Sequence, residues 1–120
     1  MEQRMRDLFS SIDNSDADTF ASFLTEDVVL QFGNAEPIQG RDLVRDVIAG
    51  FFDSIRGLKH QLHTHWLQDD ALICNGSVTY TRHDGSTLQV PFANILMRKG
   101  DLISKYLIYV DTSQLYSTAA

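Results

Sequence analysis

Seven side chains in this sequence are of types that bind or transform small oxygen-bearing molecules: Asp111, His60, Asn94, Lys105, Tyr109, Trp66 and Phe92. Asp111 follows the apolar run Tyr106-Leu107-Ile108-Tyr109-Val110, where a partly dry setting would raise its pKa and suit it to general acid or base work. His60 is the candidate to relay a proton beside it. Asn94 offers an amide and Lys105 a cation to a carbonyl or anionic oxygen, and Trp66, Phe92 and Tyr109 would wall the apolar part of a pocket. Each also has a plainer role. Asp111 would be a hydrated strand-end cap, His60 a solvated or structurally bonded ring, Lys105 a snorkelling surface residue, and the aromatics ordinary core.

A β-meander would have to bring these residues together. From Lys59 onward, apolar alternation is broken by the turn pairs Asp69-Asp70, Asp84-Gly85 and Lys99-Gly100, which marks strands over about 59–68, 71–83, 86–98 and 101–111. Treating each pair as a two-residue hairpin loop and counting outward pairs Asn75 with Asn94, Asn94 with Lys105, Val90 with Tyr109, Trp66 with Ile73 and His60 with Thr79. All seven chemical residues then share one face. One bulge would turn part of this set over, because side chains alternate with a period of two.

The opposite face then carries His63, His65, Cys74, Val78, Tyr80, Ile95, Tyr106 and Ile108, an apolar patch that needs a cover. A second copy of the chain is the simplest one, so a homodimer through the sheet is expected. His63, His65 and Cys74 form a rival constellation, since His-x-His with an opposing thiol can hold zinc with one position open. They fall on the expected dimer face without a second shell, so no metal and no cofactor is assigned. Arg82-His83-Asp84 reads as a hydrated hairpin tip.

Ahead of the strands lie three helices. Met5, Leu8, Phe9 and Ile12 make one face of the first, which ends at Asp13-Asn14-Ser15. Ser15 with Asp18 resembles a capping box for a short second helix bearing Phe20, Phe23 and Leu24. Val28, Leu30 and Phe32 make a short strand, closed by a turn at Gly33 to Pro37. Leu43, Val44, Val47, Ile48, Phe51, Phe52 and Ile55 form the broadest apolar stripe. Helices followed by an antiparallel meander give an α+β layout with the helices on one face of the sheet.

Composition bounds the rest. The 120 residues carry ten Lys+Arg against sixteen Asp+Glu, a net charge of -6, which argues against nucleic acid and anionic membrane surfaces as partners. The length fits one domain over 1–120 with a core of about 5–115, large enough to fold without staples. Cys74 is the only cysteine, which excludes an intrachain disulfide and fits a cytoplasmic location. No apolar run has the length of a signal peptide core or a membrane span.

In order and spacing, several segments resemble one family. Leu8 through Asn14-Ser15-Asp16-Ala17-Asp18, Phe23-Leu24-Thr25-Glu26-Asp27-Val28 and Glu36-Pro37-Ile38-Gln39-Gly40-Arg41, then Pro91-Phe92-Ala93, Gly100-Asp101-Leu102-Ile103 and Tyr106 to Asp111, are similar to the SnoaL-like branch of the nuclear transport factor two-like superfamily. The resemblance implies a cone-shaped, cystatin-like α+β barrel, usually dimeric, with a hydrophobic cavity between a strongly curved, mostly antiparallel sheet and the helices. It does not imply one activity. The ketosteroid isomerase set maps onto Gln31, Leu8 and Asn94, none matching the expected Asp, Tyr and Asp, although Asn94 can still donate to a carbonyl. The limonene-epoxide-hydrolase set finds Asp111 at one acid, but Val78 to Tyr80 supply no Arg-x-Asp. The sequence therefore implies a cofactor-free acid/base enzyme acting on a small hydrophobic oxygen-bearing molecule, of isomerase, cyclase, dehydratase or hydrolase type. The alternative is a noncatalytic binding module with the same cavity.

Overall fold

In the computed structural model, which describes residues 2–116, a curved six-stranded sheet holds all three helices against one of its faces. The elements run α1 (Glu2–Asp13), α2 (Ala17–Ala21), β1 (Leu24–Phe32), β2 (Ile38–Gln39), α3 (Arg41–Asp53), β3 (Gly57–Gln68), β4 (Ala71–Thr81), β5 (Thr87–Lys99) and β6 (Leu102–Val110). The strand order is β2-β1-β6-β5-β4-β3. Among the described residues only β1 and β6 run parallel; every other pair is antiparallel. This is the expected α+β class, with β2 as a short addition the sequence pattern did not signal.

The helices form where their apolar spacing places them. Met5, Leu8, Phe9 and Ile12 of α1 and Val44, Ile48 and Phe52 of α3 are buried together with Leu24, Val28 and Leu30 of β1. The cap of α2 is Asp16 and not Ser15: Asp16 accepts the Thr19 backbone N–H at 3.1 Å and the Thr19 hydroxyl at 2.6 Å, while Ser15 takes a left-handed φ of 55°. The helix ends at Ala21, so Phe23 and Leu24 pass into the β1 region.

Sheet register is where the structure departs from the hairpin count. The Asp69-Asp70 loop is as counted, with Gln68 paired to Ala71 and Trp66 to Ile73. Between β4 and β5, however, Arg82 N–H donates to Ser86 at 2.8 Å, enclosing the three residues His83-Asp84-Gly85. Gly85 takes φ 88°, and the Asp84 carboxylate accepts the Ser86 N–H and hydroxyl. An odd loop offsets the ladder by one residue and reverses a strand's faces. Cys74 therefore opposes Asn94, and Val78 opposes Val90. The last turn is Gly100-Asp101, Lys99 pairing with Leu102, and a bulge follows at Met97/Arg98, so that Asn94 opposes Ile108. A further bulge between Leu62 and Thr64 shifts β3.

The outcome is an interior face with Cys74, Val78, Tyr80, Phe92, Asn94, Leu96 and Tyr106 all buried. Trp66, Lys105 and Tyr109 stand on the outer face and are exposed. At His60 the offset of β4 and the bulge of β3 cancel, and its ring points inward opposite Val78.

Candidate active site

His60 reaches the interior from the edge strand β3, and α1 lies across it. Asp13, the last residue of α1, accepts the His60 backbone N–H at 3.1 and 3.0 Å and contacts ring Nδ1 at 2.7 Å. A carboxylate at a helix C-terminus opposes the helix dipole, so helix stability does not explain Asp13; its bonds to His60 do. Phe9 and Phe92 flank the imidazole at 4.9 and 5.0 Å between centroids, Phe92 edge-on. The ring is thus fixed on both sides; a neutral ring with Nδ1–H directed at Asp13 carries its lone pair on Nε2, which has no hydrogen-bond partner among the described residues.

His60 lines an interior cavity of about 40 Å³, together with Asn94, Tyr80, Tyr106 and a wall of Phe20, Phe32, Phe51 and Phe52. Asn94 is 2% exposed, yet its Oδ1 has no partner. A buried amide oxygen left unpaired is costly, and this one is free to accept a hydrogen bond from a ligand hydroxyl or N–H. Burial pushes the hydroxyls of Tyr80 and Tyr106 well above the ordinary phenol range, so both remain neutral donors at physiological pH.

The expected site residues divide between two places. His60, Asn94 and Phe92 come together at or beside the cavity. Tyr109 and Asp111 border a separate, open depression of about 690 Å³ on the outer side, into which Phe92 also reaches. The placement of Lys105, Tyr109 and Trp66 on a pocket face with Asn94 is corrected by the register, which puts all three outside. Asp111 lies beyond the end of β6, exposed, and the Ser113 hydroxyl and N–H hold its carboxyl below the usual carboxylate range, opposite to the raised value expected of a dry acid. The outer depression is larger and more open; the inner cavity is smaller and has the Asp13-bonded His60 in its wall.

Cys74 opposes His65 as counted, but His63 falls at the bulge between Leu62 and Thr64 and the three do not form a cluster. His65 is exposed and lies 3.6 Å from Glu2, Cys74 is fully buried, and among the described residues no three His, Cys, Asp or Glu side chains are grouped to hold a metal ion. Sequence reasoning missed Asp13, which reads as a helix terminator, and lost Tyr80 and Tyr106 to the reversed faces. The acidic residue opposing the α1 dipole was the available signal for Asp13.

The SnoaL-like domain model matches residues 5–106 of the chain. Among curated proteins, none matches the sequence. Solved structures with the same fold include an NTF2-like protein of unknown function from Burkholderia pseudomallei, 14% identical with a TM-score of 0.84, covering 95% of this chain and 92% of that one. A putative SnoaL-like polyketide cyclase from Jannaschia is 12% identical with a TM-score of 0.82, covering 95% and 87%. An LEH-like epoxide hydrolase from Mycobacterium tuberculosis is 14% identical with a TM-score of 0.80, covering 95% and 84%. At these identities the likeness establishes the fold.

Proposed function

Because the chain belongs to the SnoaL-like domain family, we propose that it handles a small hydrophobic, oxygen-bearing molecule in the interior cavity and acts on it by cofactor-free acid/base chemistry. The observation that carries this reading is the 2.7 Å contact between Asp13 and His60 Nδ1 at the wall of a cavity that Asn94, its Oδ1 unpaired, also lines.

Asp13 fixes the imidazole tautomer, so Nε2 is the basic atom. Nε2 takes a proton from a carbon next to a carbonyl, and the C–H electron pair moves into the carbonyl to give an enolate. The Asn94 Nδ2 or a neutral tyrosine hydroxyl donates to that oxygen, which preorganised donors in a dry site stabilise well. The imidazolium then returns the proton to a different carbon, to give an isomer; or the enolate carbon attacks a second carbonyl of the same molecule and the imidazolium protonates the resulting alkoxide, closing a ring; or the enolate expels a β-hydroxyl, which leaves with that proton as water. Asp13 stabilises the imidazolium meanwhile. Incubating the protein with a panel of cyclic ketones, hydroxyketones and epoxides, with His60→Gln as control, tests the reading: turnover that survives His60→Gln would remove the dyad from the mechanism.

A second reading keeps the cavity without catalysis. It is favoured by Leu8 and Gln31 standing where the isomerase resemblance expects Tyr and Asp, and by Val78 to Tyr80 offering no hydrolase arginine. Ligands would then bind and leave unchanged.

The same proposal places the working protein as a homodimer through the outer face of the sheet, in the reducing cytoplasm. Trp66 and Tyr109 stand 52% and 54% exposed on or beside that face, and the Asn75 side-chain oxygen is buried there without a partner; a second copy would cover the rings and pair the amide. The free thiol of Cys74 supports a reducing compartment.

A further inference from the structure

The polar atoms that the interior cavity leaves unpaired are of one kind. His60 Nε2 and Asn94 Oδ1 have no partner among the described residues, and with His60 neutral both are acceptors only. An acceptor buried without a donor calls for a ligand that brings the donor, because leaving it unpaired is costly. A carbonyl, an ether or a carboxylate cannot supply it, since each is itself an acceptor. A hydroxyl can, by donating its O–H to Asn94 Oδ1.

Charge narrows the ligand further. No Asp, Glu, Lys or Arg is among the described residues that line the cavity. The charge bonded to its wall is the Asp13 carboxylate, 2.7 Å from His60 Nδ1. With His60 neutral the pair is an anion, and with His60 protonated its charges cancel. In neither state does a positive charge remain for an anionic ligand, which would bear its desolvation cost without a counter-charge. Volume sets the scale: about 40 Å³ exceeds the roughly 10–15 Å³ that one water needs and is far below the roughly 300–1,000 Å³ of drug-sized sites. The ligand has few heavy atoms unless a wall moves.

We propose that the cavity selects a small uncharged hydroxyketone, whose hydroxyl donates to Asn94 Oδ1, over carbonyl compounds without a hydroxyl and over carboxylates. Asn94 is then the specificity-determining residue: 2% exposed, it reads the hydroxyl, while the aromatic wall accepts apolar carbon of any arrangement. This rests on the reading that the cavity is the binding site, and it names the class of molecule the site takes.

The test compares three probes of matched size: hydroxyacetone; 2-butanone, in which a methyl replaces the hydroxyl; and glycolate, in which a carboxylate replaces the methyl ketone. Binding is read from shifts of the His60 ring resonances in titrations at constant neutral pH. Hydroxyacetone is expected to bind about tenfold more tightly than 2-butanone, as one added hydrogen bond implies, and glycolate at least about tenfold more weakly than hydroxyacetone. In Asn94→Leu, hydroxyacetone should bind no better than 2-butanone; Asn94→Val serves where the leucine variant fails to fold. If 2-butanone matches hydroxyacetone in the wild type, or if the preference survives in the variants, the role of Asn94 is overturned and the cavity reading stands. Glycolate that binds as tightly as hydroxyacetone would overturn the selection against charge. If none of the three shifts His60, the cavity is not a site for such molecules, and the reading beneath the proposal falls with it.

Discussion

Asp13 binds His60 twice over, through the backbone N–H and through ring Nδ1 at 2.7 Å. One carboxylate therefore fixes both where the edge strand runs beneath α1 and which imidazole nitrogen is free. Position and tautomer of the proposed base are set by the same group, and loss of that group should disturb both.

Asp13→Asn keeps the shape but replaces the charge. If the dyad works as proposed, turnover should fall by about 10- to 100-fold, less than the roughly 10²–10⁴-fold expected for removing the base itself in His60→Gln. Stability should fall by about 1–2 kcal/mol, because a charge-assisted acceptor of two hydrogen bonds becomes a neutral one. Steady-state kinetics with denaturant unfolding separates the two. Equal loss in kcat for both variants would mean that Asp13 does more than orient the ring.

Gly76→Ala probes the bulge that turns His60 inward. A Cβ at Gly76 would lie 1.9 Å from the backbone oxygen of Gln61 and 2.9 Å from its carbonyl carbon, atoms of the β3 backbone beside the bulge between Leu62 and Thr64. A backbone clash cannot be relieved by a rotamer change, so the two strands must part. A destabilisation above about 2 kcal/mol is expected, read as a drop in the urea midpoint; a change within 0.5 kcal/mol, the ordinary range for a surface substitution, would show that the strands are not packed so closely there.

The fold was legible because its signals are repeated. The α3 stripe and the alternating strands each state their period several times over, and Asp69-Asp70 forms the two-residue loop it suggests. The site was only partly legible because it hangs on single-residue events. An odd loop at His83-Asp84-Gly85 and a bulge at Met97/Arg98 each reverse a face, and no hydrophobic pattern marks them, since both faces of these strands carry apolar residues. The hairpin count puts His60 and Asn94 on one face with Lys105 and Tyr109, whereas the structure turns the first two inward and the last two outward, and Asp13 stands in a helix-ending cluster whose residue types fit a turn equally well.

Alkaline stability should report the buried acids of the interior face. Burial pushes the Cys74 thiol up to about 11 from its ordinary 9.0, and raises Tyr80 and Tyr106 from 10.0. In each the neutral form is favoured in the folded state and the unfolded chain ionises first. Their contribution is whole below pH 9 and is lost as pH rises toward the folded values, by about 1.4 kcal/mol per pH unit for each group titrating only when unfolded. Urea unfolding at pH 8, 9, 10 and 11 should show this decline, and Tyr106→Phe should flatten it above pH 10. A flat profile to pH 11 would contradict the burial.

If a second copy covers the outer sheet face, charge placed there should separate the copies. Tyr109→Glu puts a carboxylate among residues that flank Pro91 and Ala93, and desolvating it against its own symmetry mate costs several kcal/mol. Sedimentation velocity should show a dimer for the wild type and a monomer for Tyr109→Glu, with the monomer's far-UV circular dichroism unchanged. A monomeric wild type at micromolar concentration would end the dimer proposal.

Asn94 offers the sharpest separation of stability from function. Its Oδ1 is buried and unpaired, a standing cost of about 1–3 kcal/mol, and it sits among Tyr106, Ile108 and Phe52, where an apolar side chain of similar size fits. Asn94→Leu is therefore expected to raise stability by about 1 kcal/mol, as replacements of unsatisfied polar groups at functional sites do. The same change removes the amide proposed to meet the substrate oxygen, and turnover, or affinity if the protein only binds, should fall about 10-fold or more. Thermal unfolding and activity move in opposite directions if the amide is kept for a ligand. If both fall together, Asn94 is holding the sheet, and the polar group facing the cavity is part of the scaffold.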